Sequence, residues 1–127
     1  MHTILLFMAG WAALLGVSQA VSSPACKAWL QATPRGNMLE MTGNCSSLAG
    51  ATGRYRYEMS VERHSSGGHS KSQQGGEFEL AAGQSVVLSS TQVNIDGQTT
   101  YIGRLRVFDS QNVLLAQDSV RHEPGNK

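Results

Sequence analysis

Apolar and polar residues alternate with a period of two along most of the chain after residue 25. This period is typical of β-strands that bury one face. Short clusters of Gly, Ser, Asn and Asp separate the alternating segments, and none of these segments has the 3.6-residue period of an amphipathic helix. The pattern predicts seven strands, over residues 26–33, 38–45, 54–63, 76–81, 85–89, 100–108 and 112–120.

The number and spacing of these strands predict an all-β fold, a seven-stranded antiparallel β-sandwich of the immunoglobulin type. A small closed barrel is the alternative. In the last strand, the continuous apolar run at 113–115 indicates either burial on both sides or a bulge. Residues 63–76 are polar and glycine-rich, and they are predicted to form a flexible loop. The strand parity predicts an inner row of Ala28, Leu30, Leu39, Met41, Tyr55, Tyr57, Met59, Val61, Phe78, Leu80, Val86, Leu88, Tyr101, Leu105 and Val107.

The N-terminal region differs from the rest of the chain because residues 4–17 form an apolar run. Ser18-Gln19-Ala20 follows, with small residues at the two positions that a signal peptidase reads. We therefore expect a secretory signal peptide over residues 1–20 and one exported domain over residues 21–127. A retained N-terminal anchor is the alternative, because only His2 stands where a Lys or Arg is usual.

The composition and the absence of known motifs argue against several classes of function. Ten Lys and Arg stand against nine Asp and Glu, and this net charge of +1 argues against a general nucleic-acid binder. No segment after the signal is apolar enough to span a membrane. No Gly-x-Ser-x-Gly elbow, catalytic triad context or phosphate-binding glycine loop occurs. We therefore expect a protein that is not an enzyme and that needs no cofactor.

Histidines are the candidate metal ligands. His64 and His69 share the predicted loop, and His122 lies near the C-terminus. We find no Cys, Asp or Glu at an established ligand spacing from them. Solvated histidines and no metal site are therefore expected.

The two cysteines, Cys26 and Cys45, flank a segment of turn residues at 34–37. If Thr33 pairs with Met38 across this four-residue loop, the antiparallel register sets Cys26 opposite Cys45. An isolated cysteine pair in an exported protein is typical of a structural disulfide, which would stabilise the fold by about 3 kcal/mol. Free thiols or a redox site are the alternatives.

Arginines form the most distinctive pattern on the polar side of the strands. Arg54 and Arg56 point outward from the third strand, and Arg104 and Arg106 point outward from the sixth. These two strands are neighbours in an immunoglobulin-type sheet, so the four side chains are predicted to share one solvent face. The face can steer an acidic partner, and Glu58 and Glu62 make it bipolar. The alternative is that these charges serve only solubility.

Several short motifs resemble, in order and spacing, those of the CsgC/CsgH-like family of curli assembly proteins. The resemblance extends from the Gly36 hairpin to the last strand. The motifs are Ser60-Val61, Gly67-Gly68, Gln73-Gln74, Leu88-Ser89 and Val93-Asn94-Ile95.

The resemblance implies an immunoglobulin-like sandwich in the periplasm of bacteria that export curli, the functional amyloid of the cell surface. It implies a chaperone, which we expect to be a monomer, that inhibits premature amyloid nucleation by the curli major subunit. Weak, electrostatically guided contact is the implied mode of action, and the curli secretion machinery is a second expected partner.

Two alternatives to the chaperone remain. The first is a structural or adhesive subunit that binds by strand addition. The second is a thiol–disulfide redox assistant. The type member of the family has a Cys-x-Cys pair near the start of the third strand, where this chain has Gly53-Arg54-Tyr55. A redox role is therefore disfavoured, because such chemistry depends on closely spaced thiols.

Overall fold

A computed structural model describes residues 25–124 of the chain. The predicted signal peptide over residues 1–20 lies outside the described residues. The fold consists of seven strands: β1 (Cys26–Arg35), β2 (Met38–Ser47), β3 (Gly53–Ser65), β4 (Gly68–Leu80), β5 (Ser85–Asn94), β6 (Thr100–Asp109) and β7 (Leu114–His122). Within residues 25–124, no helix is long and apolar enough to cross a membrane.

The strands form two antiparallel sheets that pack face to face. One sheet has the order β1-β2-β5, and the other has the order β4-β3-β6-β7. This arrangement confirms the predicted all-β, immunoglobulin-like sandwich. It also makes β3 and β6 hydrogen-bonded neighbours, as the sequence predicted.

The core lies between the sheets and consists of the residues whose parity points inward. Leu39, Met41, Leu80, Leu105 and Val107 have no exposed surface. Most of the predicted inner row is buried or packs against the buried residues. Phe108 was not predicted to be buried, yet it is only 9% exposed, because side chains on the outer side of the sheet cover it.

The β1–β2 hairpin is tighter than predicted. Arg35 pairs with Met38 across the two-residue turn Gly36-Asn37, and Gly36 adopts a φ of 62°. Pro34 continues the strand instead of starting the turn. This is possible because β1 is an edge strand, in which a residue without an N–H group can face the unpaired side. The prediction that Thr33 pairs with Met38 is therefore wrong by two residues.

This shift in register changes the positions of the cysteines. Cys26 lies opposite Ser47, and Cys45 lies opposite Ala28, so the two cysteines are diagonal neighbours on one face and the prediction that they pair directly is wrong. Both are free and buried in the structure, and the predicted Cys26–Cys45 disulfide is not confirmed.

The segment at 63–76 is not a loop. Strands β3 and β4 run through it and pair from Gly53 with Leu80 up to Ser65 with Gly68, leaving only residues 66 and 67 in the turn. The prediction of a flexible loop is wrong because the abundance of Ser, Gln and Gly hid a long polar hairpin whose residues still alternate between two faces.

A bulge interrupts the pairing of β6 with β7, where Val107 pairs with Ala116 but Phe108 pairs with Leu114. This confirms the bulge indicated by the apolar run at 113–115. Strand β7 also contacts the other sheet, since the backbone N–H of Leu30 on β1 donates a hydrogen bond of 2.9 Å to Asp118 Oδ2.

Candidate partner-binding face

The outward side chains of the sheet β4-β3-β6-β7 form a continuous surface, which we call the outer face. The strand register defines its rows, because residues that pair directly across neighbouring strands point to the same side. Its charged members are six basic residues, Arg54, Arg56, Lys71, Arg104, Arg106 and Arg121, and four acidic residues, Glu58, Glu62, Glu77 and Glu79. With neutral histidines, the outer face therefore carries a net charge of +2 on a chain whose total is +1.

Arg56 is the most constrained arginine of the outer face. Its guanidinium lies 4.3 Å from the centre of the Phe108 ring, which is a cation–π arrangement. Its Nε and Nη2 donate hydrogen bonds of 3.2 and 3.0 Å to Asn112 Oδ1 in the β6–β7 turn. Because these contacts fix the side chain, Arg56 covers Phe108 and is less free than its neighbours to meet a partner.

Glu58 lies between two arginines. Arg56 Nη1 donates a 2.8 Å hydrogen bond to Glu58 Oε2, and Arg106 Nη2 donates a 2.8 Å hydrogen bond to Glu58 Oε1. The hydrogen bond from Arg56 is the main cause that lowers the pKa of Glu58 below its ordinary value, and the charges of both arginines act in the same direction. The centre of the outer face is thus a bridged Arg–Glu–Arg cluster and not a cluster of free positive charges.

Arg104 and Arg54 are the loosely held arginines. Arg104 Nη1 lies 3.8 Å from Glu62 Oε1, and Arg54 Nε lies 4.0 Å from Glu79 Oε2. Their side chains are 54% and 62% exposed, against 34% for Arg56. Exposed pairs at such distances are weak, so these two guanidinium groups can exchange their carboxylates for those of a partner.

The structure thus places all four predicted arginines on one face, but it corrects their spacing. Arg56 lies diagonal to Arg106, with Glu58 between them. Arg54 lies three rows from Arg104, which is about 20 Å along the strands, so these two arginines share the face without being neighbours. The acidic residues alternate with the arginines instead of gathering at one end.

A shallow groove of about 790 Å³ crosses the middle of the outer face. It exists because Ser60 and Gly75 carry little or no side chain between longer neighbours. Lys71, Gln73, Arg104 and Arg106 line it together with Glu58, so it offers hydrogen bonds and more positive than negative charge. Such a groove suits an extended polar chain better than a compact apolar ligand.

A second cluster, which was not predicted from the sequence, lies at the end of the β3–β4 hairpin. Glu62, His64 and His69 bring one possible ligand atom each within 4.8 Å of one another. His64 pairs directly with His69, and their rings stack with centroids 4.3 Å apart. The signal for this cluster was the turn at residues 66 and 67, which sets His69 beside His64, two residues from Glu62 on the same face. Because residues 63–76 were expected to form a loop, the pairing of His64 with His69 was not predicted.

The two thiols lie in the core and contact each other. The hydrogen bond with the Cys26 thiol, together with burial, raises the pKa of Cys45 well above its ordinary value. A buried thiol with a raised pKa is a poor nucleophile, because the thiolate is the reactive form. The same hydrogen bond lowers the pKa of Cys26, so this environment disfavours thiolate chemistry at Cys45 only.

Comparison with known proteins finds likeness only at the level of structure. No protein-family model matches the chain, and no curated protein matches it. The solution structure of R. palustris CsgH matches with a TM-score of 0.57 and 20% identity, over 78% of this chain and 92% of CsgH. The E. coli curli protein CsgC matches with a TM-score of 0.63 and 19% identity, over 74% of this chain and 96% of CsgC.

The same fold also occurs as a small part of a large enzyme. Bacteroides uniformis beta-glucuronidase 2 matches with a TM-score of 0.56 and 11% identity, over 79% of this chain but only 14% of the enzyme. The chain therefore shares the fold of CsgH and CsgC over nearly their whole length, whereas its likeness to the enzyme is confined to one domain. At these identities the comparisons show the fold, and function has to be argued from the surface.

Proposed function

We propose that this chain is a CsgC/CsgH-like chaperone of curli biogenesis, which acts in the periplasm and keeps the curli subunit from nucleating amyloid before secretion. The observation that carries the proposal is the structural likeness to CsgH and to the curli protein CsgC over 92% and 96% of their lengths. The short motifs of residues 60–95 support the same family. The apolar run before Ala20 supports export.

The outer face supplies a physical basis for the proposed activity. Amyloid nucleation requires strand-forming segments of low charge to stack on one another. Arg54 and Arg104 are exposed and only loosely paired, so they can bind carboxylates of an unfolded subunit while the polar groove holds the neighbouring chain. Contacts of this kind are weak and short-lived, which suits a chaperone that delays nucleation at substoichiometric ratios.

Salt dependence follows from the same contacts. Exposed charges separated by more than about 8 Å are screened at physiological ionic strength. Added salt should therefore weaken the inhibition without unfolding the protein, whose core is apolar.

The decisive experiment is polymerisation of the curli subunit followed by thioflavin T fluorescence, with the purified protein added at a low molar ratio. The wild type should lengthen the lag phase. The double variant Arg54→Glu/Arg104→Glu should lose most of this effect, because both exposed guanidinium groups become carboxylates. Arg56 and Arg106 are left intact in this variant, since both bridge Glu58.

A charge-matched control lies on the other sheet. Lys27→Glu/Arg35→Glu changes the net charge by the same amount, but both residues lie on β1, away from the outer face. This variant should inhibit like the wild type, and circular dichroism should show that both variants are folded. An unchanged lag with Arg54→Glu/Arg104→Glu, or an equal loss with the β1 control, would reject the outer face as the contact surface.

Strand addition is the second candidate, and one observation favours it. Strand β4 is thirteen residues long and pairs only with β3 among residues 25–124, so its other edge can accept a strand. This mode would give a stable stoichiometric complex that is insensitive to salt. The thioflavin assay repeated at high salt separates it from the electrostatic mode, and an effect that needs reductant would instead indicate redox chemistry.

A further inference from the structure

The Glu62–His64–His69 cluster has the shape of a metal-binding site and borders the proposed partner-binding arginines at Arg104. It lies at the end of the long β3–β4 hairpin, where Glu62 and His64 are alternate residues of β3 and His69 pairs with His64 from β4. Because both strands are held by a two-residue turn and a continuous ladder, the three side chains are kept together by the backbone. The cluster is therefore a product of the fold and not of a mobile loop.

The geometry of the ligand atoms is close to that of a coordinated ion. His69 Nε2 lies 3.5 Å and His64 Nε2 lies 3.8 Å from the same carboxylate oxygen, Glu62 Oε2. Ligands that bind a tetrahedral ion at about 2.0–2.1 Å are separated from each other by about 3.4 Å. The imidazole side chains are 54% and 52% exposed, so they can make the remaining adjustment by small rotations.

The donor set selects the class of metal. Two imidazole nitrogens and one carboxylate suit Zn²⁺ and Cu²⁺, whereas Mg²⁺ and Ca²⁺ prefer a shell of oxygens. Three protein ligands leave a fourth position for water or for a group from a partner.

The surroundings of Glu62 orient its carboxylate but lower the affinity of the site for a metal ion. Arg104 lies 3.8 Å from the other oxygen, Glu62 Oε1, and this weak contact favours the orientation in which Oε2 faces the histidines. Such outer contacts orient metal ligands. Lys71 lies directly opposite Glu62 on β4, and its positive charge and that of Arg104 oppose a second cation nearby. We expect an exchangeable site and not a buried structural ion.

We propose that Glu62, His64 and His69 form a binding site for a divalent transition-metal ion of the Zn²⁺ and Cu²⁺ class. The site joins β3 to β4 across their turn, so the ion stabilises the tip of this hairpin. It stands independently of the curli proposal, since it requires no curli subunit.

Isothermal titration calorimetry of the purified protein, free of any histidine tag, tests the site with ZnCl₂ and CuCl₂. We expect one ion per chain from each salt and no heat of binding from MgCl₂ or CaCl₂. His69→Ala and Glu62→Gln should each weaken binding at least about tenfold, since even outer-sphere changes can cost that much. In NMR spectra, Zn²⁺ should shift the ring signals of His64 and His69.

His122→Ala is the matched control. His122 is exposed and stacks on Tyr101 with centroids 5.0 Å apart, outside the cluster, so its removal should leave the affinity unchanged. Circular dichroism without metal shows whether His69→Ala and Glu62→Gln are folded, and the NMR shifts of the wild type provide a readout that needs no variant. Absence of Zn²⁺ and Cu²⁺ binding by the wild type, or equal binding by His69→Ala, would overturn the site.

Discussion

At the scale of single residues, Glu58 has the most consequences for the outer face. It receives hydrogen bonds of 2.8 Å from both Arg56 and Arg106, which in turn flank the Phe108 ring. One carboxylate therefore holds two guanidinium groups that would otherwise repel each other. These two arginines act first as a cover for Phe108, and the loosely held pair, Arg54 and Arg104, is the better candidate for contact with a partner.

Glu58 also confers a pH dependence whose sign can be worked out. Its pKa in the folded protein is lowered below the ordinary value of 4.5. The stabilisation it gives is thus present above about pH 4.5 and is lost as the pH falls through the lower, folded value. We expect the urea midpoint of Glu58→Gln to fall less between pH 6 and pH 3 than that of the wild type. Glu40→Gln removes a carboxylate on the other sheet and serves as the control, and identical acid profiles for wild type and Glu58→Gln would contradict the expectation.

Gly75 illustrates a steric requirement at a single position. A Cβ added there would lie 2.9 Å from the backbone oxygen of Tyr57, which the β3–β4 ladder prevents from moving. Gly75→Ala should therefore destabilise the protein by about 1–3 kcal/mol, as overpacking does.

Gly76 is the adjacent control for Gly75. A Cβ at Gly76 would lie 3.6 Å from the Tyr57 ring, which is ordinary contact, so Gly76→Ala should unfold at nearly the wild-type denaturant concentration. Chemical denaturation of both variants checks the difference, and equal midpoints for the two would show that the close approach at Gly75 is not limiting.

At the scale of elements, the two sheets are connected unequally along their two sides. Strand β7 packs closely against β1, whereas β4 and β5 meet at few points, one of them a hydrogen bond from Ser89 Oγ to Gln74 Oε1. Asp118 of β7 strengthens the contact between β7 and β1 by accepting a 2.9 Å hydrogen bond from the backbone N–H of Leu30. An acidic residue with inward parity on an edge strand also discourages further strand pairing there.

Asp118→Ala should lower the free energy of unfolding by about 1–2 kcal/mol, because the buried N–H of Leu30 loses its acceptor. Asp118→Asn keeps a side-chain oxygen and should recover most of the loss. Ser119→Ala changes the exposed neighbour and should have little effect. Urea denaturation of the three variants measures the differences, and a wild-type midpoint for Asp118→Ala would show that the hydrogen bond contributes nothing.

The elements also show what could be predicted from the sequence and what could not. The inner rows of β3 and β6, such as Met59 and Leu105, follow from alternation alone, because side chains in a strand change face at every residue. Register depends on where a turn begins. Pro34 led to a predicted first turn that starts two residues too early, and the polar residues after Arg63 led to a predicted loop in place of a hairpin. The cysteine positions were consequently mispredicted and the histidine cluster was missed. The Glu58 bridge was missed because it depends on the register of β3 with β6, which alternation does not give.

At the scale of the whole molecule, a nearly neutral chain concentrates its charge on one sheet. The outer face holds six basic and four acidic side chains. That the four arginines share this face could be predicted, since it requires only parity and the neighbouring of β3 and β6. The ion-pair partners of these arginines could not be predicted, because the register between strands decides which carboxylate lies beside which guanidinium. The predicted Cys26–Cys45 disulfide and the binding role of the arginines stay predictions.

The unpaired edge of β4 has a consequence for contact between this protein and amyloid-forming chains. Strand β4 offers a long unpaired edge, and from Gly68 to Gly76 that edge carries no apolar side chain. Zippers of stacked strands need interlocking dry side chains, which a row of Gly, Ser, Gln, Lys and His supplies poorly. Such an edge makes the protein a poor template for the stacking of further strands. Under the proposed function, this edge would keep the protein from being added to the fibre of its own partner.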